Sequence, residues 1–325
     1  MNKKYLTILA LAGALSGAAE AATSAIAAAG GGMALQPAAH SAYASDAPIL
    51  GVANAGKRIV GVGDYGVVLL SDDQGKTFRQ ARSVPVSSTL TGVSFADERN
   101  GWAVGHWGVI LHTADGGDSW SVQRSDTQED RPLFSVHFFD GKEGIAVGLW
   151  SLVLVTHDGG AHWESASLPA PPDGGKADRN LLSAFADVHG NLYLAAERGM
   201  VLRSDDRGRS WRYLDTGYKG SFWSGVALRS GAVLVGGLRG SLYRSADGGN
   251  HWQAIDSGVK SAITGMVERD DGVVEAVGLD GVMLESHDGG LSFKARQRDD
   301  RLSLTSVAVA GHEVVRFSKR GVATR

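Results

Sequence analysis

Short apolar runs, most of them alternating, recur along nearly the whole chain, and two patterns within them occur seven times. The first is an apolar residue, any residue, Gly or Ser, then usually an apolar one, at 49–52, 90–93, 133–136, 181–184, 222–225, 263–266 and 304–307. The second follows about ten residues later as a two-residue turn bracketed by small residues, as in Gly105-His106-Trp107-Gly108, at 63–66, 105–108, 148–151, 196–199, 237–240, 278–281 and 318–321. Period-two alternation on both sides of such a turn predicts a β-hairpin. Seven hairpins are therefore expected, and no segment calls for a helix.

A third pattern completes the repeat. SDDQGKTF (71–78), TADGGDSW (113–120), THDGGAHW (156–163), SDDRGRSW (204–211), SADGGNHW (245–252) and SHDGGLSF (286–293) share the form [ST]-x-D-x-G-x-x-[WF]. The Asp can bond amides of its own turn, and the Gly suits a left-handed backbone. The closing aromatic is expected to be buried between neighbouring units, because six exposed rings would form sticky patches. These aromatics stand at 78, 120, 163, 211, 252 and 293, at intervals of 42, 43, 48, 41 and 41 residues. A period of about 40–45 residues is that of a four-stranded propeller blade. The one long interval holds LPAPPDGGKADRN (168–180), whose Pro and Gly content predicts a surface loop.

The octet resembles the Asp-box, or BNR repeat, of sialidase-type propellers, and the pattern over 47–325 is similar to the photosystem II stability and assembly factor family. That resemblance implies a seven-bladed propeller of the photosynthetic lumen or of a bacterial relative, whose arginine-rich patch holds membrane-protein clients. The predicted fold is all-β, a seven-bladed β-propeller of four-stranded antiparallel blades. The first pattern is placed innermost, where strands crowd and small side chains let backbones approach.

Composition narrows the function. The 325 residues include 45 Gly and no Cys, with a formal charge of −3. A repeat running almost throughout argues for one closed unit. Near-neutral charge without a basic block gives no footprint for nucleic acid, and the absence of Cys excludes disulfides, thiolate metal sites and a cysteine nucleophile. Residues 1–21 have Lys3 and Lys4, an apolar run over 5–19 and a small-residue site at 19–21, the form of a secretory signal too short to span a membrane. Export to the periplasm, or to the thylakoid lumen in a phototroph, is expected, with no transmembrane span after signal removal and a monomeric state. Residues 22–46 form an Ala/Gly/Ser-rich lead-in. The seventh unit reaches Arg325 without a box, so a stretch within 33–46 is expected to pair with the last blade and close the ring, since open strand edges are normally covered.

The candidate site follows from the meander. Successive turns alternate between two faces, so the seven hairpin turns lie opposite the boxes and encircle one mouth of the central channel. Their penultimate residues are Tyr65, Trp107, Trp150, Arg198, Arg239, Asp280 and Arg320. Hairpin tips ordinarily carry Asn, Asp, Gly or Ser, whereas aromatics and Arg mark binding hot spots. One reading is a partner-binding face with an apolar arc (Tyr65, Trp107, Trp150) and a cationic arc (Arg198, Arg239, Arg320) around Asp280, suited to a client presenting carboxylates beside apolar surface. The family's arginine patch maps onto Arg198, Arg239 and Arg320. The other reading has the aromatics plugging the channel and the arginines paired with Glu197 and Asp280.

Three arginines and Tyr65 on one face also imitate a sialidase site, which needs an arginine triad, a Tyr nucleophile with a Glu partner and an Asp acid. The entry motif of those enzymes, an Arg within a Phe/Tyr-Arg-Ile-Pro run, is absent. No metal site is predicted: the ten His are scattered and each box offers one carboxylate. No phosphate loop is present, because the Gly-rich segments join strand to strand. The sequence thus points to a non-catalytic binding propeller without cofactor, an accessory or assembly factor for a membrane-protein complex, with a carbohydrate-active propeller as the alternative.

Overall fold

The computed structural model describes residues 35–323. The expected signal and most of the lead-in lie outside the described residues.

The described chain is a seven-bladed β-propeller. Six sheets have four strands in simple meander order, spanning 49–80, 90–124, 133–165, 181–215, 222–255 and 263–297, and the seventh has three, over 304–323. The strands beginning at Ile49, Leu90, Leu133, Leu181, Phe222, Ile263 and Leu304 pack on one another in a closed ring, the last against the first. Their Gly and Ser positions explain how they come so close. A Cβ on Gly51 would lie 2.8 Å from Gly92 Cα, so no side chain fits between the first two inner strands. Each inner strand also carries a bulge at the residue before its Gly or Ser. At three of these bulges a Thr hydroxyl donates to the next blade: Thr91 to Leu133 O at 2.6 Å, Thr264 to Leu304 O at 2.9 Å, and Thr305 to Ile49 O.

The core is divided into seven clusters, one for each blade-to-blade interface. The closing aromatic of each turn belongs to one of them: Phe78 packs between the last and first blades, and Trp120 between the first and second. Trp120 is buried, and the other five are half-buried but packed in the same way. The turns themselves are built as their residues require. In the second blade Gly117 N–H donates to Thr113 Oγ1 (2.9 Å), while Asp115 accepts from the N–H and hydroxyl of Ser119 (2.9 and 2.6 Å). Gly117 has a φ of +93°, a value L residues avoid.

Two expectations are corrected. Six hairpin turns are not reversals centred on the two middle residues. The left-handed pair is the penultimate residue and the one after it, as in Tyr65 (φ +58°) and Gly66 (φ +68°). Only in the seventh, where Ser318 pairs with Gly321, are Lys319 and Arg320 the central pair. Second, no strand forms over 35–46. Residues 38–41 instead lie along the outer strand of the first blade, with Ala38 N–H on Val84 O (3.0 Å) and Ser41 N–H on Gln80 Oε1 (3.0 Å). The chain then makes a 3₁₀ turn, Ala44–Asp46, which buries Ala44 and lies against Gly321–Ala323 without pairing to it. The ring closes through its inner strands, and the last blade has three strands among the described residues.

Candidate functional face

In every blade the inner strand begins beside the end of the second strand, as the pairing of Ile49 with Gly63 shows. The hairpin turns therefore share one face with the loops that lead into each blade, and the six box turns lie on the other. On that face Tyr65 (71% exposed) and Trp150 (53%) project outward, as do Arg198, Arg239, Asp280 and Arg320. Trp107 alone of the seven is half-buried, packed with Leu35 and Ala38 against the core between the first two blades. A cavity of about 330 Å³ opens there between Tyr65 and Trp107, with Leu35 and Thr89 in its wall.

The backbone at these positions is unusual. Tyr65, Trp107, Trp150, Arg198, Arg239 and Asp280 have φ between +52° and +60°. Left-handed geometry costs an ordinary L residue about 1–2 kcal/mol, and such turns prefer Asn, Asp or Gly. Of the six, only Asp280 is of a type suited to it.

Loops leading into the same blade or the following one hold several of these turns. Asp130 accepts from Trp107 N–H (2.7 Å) and meets His106 Nδ1 (2.8 Å), and Asn180 Oδ1 accepts from Trp150 N–H (3.1 Å). Arg131 donates to the carbonyls of Leu149 (3.3 Å) and Trp150 (2.9 Å). Asp280 accepts from the Ser261 hydroxyl at 2.7 Å, and its N–H donates to Ser303. The turn tips are thus fixed in place while their side chains stay out.

The arginines do not pair as the alternative reading requires. Glu197 accepts from Asn180, through both its N–H (3.0 Å) and its side-chain amide (3.1 Å). Arg198 meets Asp173 at 3.6 Å, a pair exposed on both sides and weak in consequence. Arg239 and Arg320 form no ion pair among the described residues.

Residues not singled out from the sequence add to the face. Phe134, Leu182 and Trp223 occupy the bulges of the third, fourth and fifth inner strands, half-buried and outside all seven core clusters. Their signal was available, since they hold the free position of the apolar-x-small pattern. Arg179, in the long loop, is 2% exposed, bonded to Asp173 and stacked over the Tyr213 ring at 5.9 Å. No spacing rule marks it.

Among the described residues no three His, Asp or Glu come together as a metal site. None of the helices there is long and apolar enough to cross a membrane.

Comparison with known proteins matches the fold. Residues 80–212 fit the family model described as photosynthesis system II assembly factor YCF48. A solved structure of YCF48 bound to D1 peptide superposes with a TM-score of 0.69 at 17% identity, covering 86% of this chain and 92% of that one. YCF48 from Cyanidioschyzon merolae gives a TM-score of 0.67 at 18% identity, covering 89% and 98%. The Cps50 (Swd1) β-propeller domain of Myceliophteria thermophila also reaches 0.67, at 13% identity over 84% and 93%. No curated protein matches. The chain is thus similar to the photosystem II assembly factor YCF48 family, in sequence over residues 80–212 and in fold along the whole propeller.

Proposed function

We propose that the protein is a non-catalytic binding propeller that holds a membrane-protein client through its hairpin face, in the periplasm or the thylakoid lumen. One observation carries the reading: six blades hold the same turn position in a strained left-handed backbone, and five of those positions are Tyr, Trp or Arg. Strain kept at residues that do not relieve it, on side chains that, Trp107 apart, pack against no core cluster, is expected where those side chains are used. Tyr65 and Trp150 supply apolar contact, Trp107 walls the cavity beside them, and Arg198, Arg239 and Arg320 supply bidentate donors to carboxylates. Asp280, bonded to Ser261, marks the boundary between the arginines of the fifth and seventh blades. A client with acidic residues beside an apolar stretch fits both arcs. The solved complex of YCF48 with D1 peptide supports a peptide as the bound element.

Crosslinking in the host envelope, with identification of captured partners, tests the proposal. Capture of one membrane protein by the wild type, lost in Arg198→Ala/Arg239→Ala/Arg320→Ala and weakened by high salt, is the expected result. Equal capture by the variant would show that the arginines are not the grip.

A further inference from the structure

Among the described residues the seventh blade has no fourth strand, and the space such a strand would fill is a groove of about 1150 Å³ between the outer strand of the sixth blade and the box turn of the first. Its floor is the edge of Gly321–Ala323, which pairs with Glu313–Ser318 on one side and with no strand on the other among the described residues. In every other blade the corresponding edge is taken by a fourth strand.

The sequence around the groove departs from the repeat. At the third position before the hairpin turn the blades carry Val60, Trp102, Ile145, Tyr193, Leu234, Glu275 and Val315. These side chains pack against the box of the next blade: Trp102 Nε1 donates to Gly159 O at 3.1 Å, and a Cβ on Gly75 would lie 2.1 Å from Val315 Cγ2. Glu275 is the one charged member, and it sits in the one blade whose neighbour has no box. The site is adapted to an opening rather than left with an unfilled apolar hole.

We propose that this groove takes an extended acidic segment of another protein, added as the fourth strand of the last blade. Backbone pairing to the free edge gives such an addition its affinity, and alternate side chains give it selectivity. On the side of the sixth blade the groove is lined by Met283 and Val314 together with Lys294 and Arg296, Met283 lying directly opposite Arg296 across its two strands. On the side of the first blade it is lined by Val322 and Lys76. These three cations form no ion pair among the described residues. Of the five acids in the lining, Glu275 is engaged with Arg316 (2.7 Å) and Arg269 (3.2 Å), Glu285 with His287 and Asp300 with Arg298 (2.9 Å), and Glu313 also has a partner, leaving Asp299 opposed to the three. A segment carrying acidic residues among apolar ones therefore complements the groove. The described lead-in touches the groove only at Ser45, having come along the first blade from the side of the second. That path makes another chain the better occupant.

A synthetic peptide of alternating valine and glutamate, titrated into the full chain by fluorescence anisotropy, tests this. Expected are salt-sensitive binding, at least tenfold weaker binding to Lys76→Glu/Lys294→Glu/Arg296→Glu, and loss of binding when alternate peptide amides are N-methylated. The triple Arg→Ala variant of the hairpin face should bind like the wild type. No binding, binding indifferent to the charge reversal, or loss in the hairpin-face variant would each overturn the groove as the site. So would slow hydrogen exchange at Val322 and Ala323 before peptide is added, which would mean the edge is already paired, by the lead-in or by a second copy.

Discussion

Arg316 in the last blade donates to Glu275 in the sixth at 2.7 Å, across the one interface with no box aromatic. Glu275 is 4% exposed and also accepts from Arg269 at 3.2 Å. Removing the carboxylate would leave two arginines facing each other in a half-buried seam. Glu275→Ala is therefore expected to destabilise the protein by about 3 kcal/mol, the scale for breaking a buried pair from one side. Urea denaturation of Glu275→Ala against Glu275→Leu/Arg316→Leu checks this. The double variant should recover a good part of the loss, because an apolar pair of similar volume avoids the desolvation cost.

The repeat was legible wherever each position has a local reason. Ser or Thr, Asp, Gly and the aromatic of each box are fixed by bonds within eight residues, so six copies were enough to define blades and period. The small residues of the inner strands were legible for the same reason, since Gly51 and Gly92 meet in a contact that admits nothing larger. The left-handed turn positions were less so. Nothing in Leu-Arg-Gly or His-Trp-Gly announces where the reversal is centred, because at the first of the two left-handed positions only Asp280 is of a type that favours that backbone. The covering of the last blade was misjudged because residues 35–46 find partners on the first blade. Glu275 within a strand looks like an outward polar residue until the seven blades are aligned.

Backbone strain separates stability from binding at the hairpin face. Asn accepts the left-handed region at lower cost than Arg, so Arg239→Asn is expected to stabilise the isolated protein by about 0.5–1 kcal/mol. The same change should weaken client capture tenfold or more if Arg239 is a hot spot. Thermal melts and crosslinking of one variant read both effects, and a variant that loses stability as well as capture would show Arg239 to be structural.

Acid should loosen the box turns. Asp73 and Asp288 are held down to about 2 chiefly by the hydroxyls of Thr77 and Ser292, and Asp158 to about 2 chiefly by the backbone N–H of His162. Each has a folded value below its unfolded one of 3.8, so the ionised form is favoured by folding. The stabilisation is present above pH about 4 and is lost as pH falls through that value towards about 2. Melting temperatures measured over this range should fall steeply for the wild type. They should fall less steeply for Asp158→Asn/Asp288→Asn, which starts from a lower melting temperature at neutral pH.

The seam between the first and last blades joins residues at opposite ends of the chain, through Asn54 on Val309 O (2.9 Å) and Thr305 on Ile49 O, separated by 255 and 256 positions. Closing a loop of that length costs roughly 5 kcal/mol of chain entropy by the logarithmic law. No part of that cost is returned until the last hairpin exists. The six earlier blades can stack on their neighbours as the chain lengthens, but the arc they make stays open, with an uncovered blade face at each end. Folding of such a ring is expected to finish with one slow, all-or-none closure, and the open arc that precedes it is the species most exposed to mispairing and aggregation.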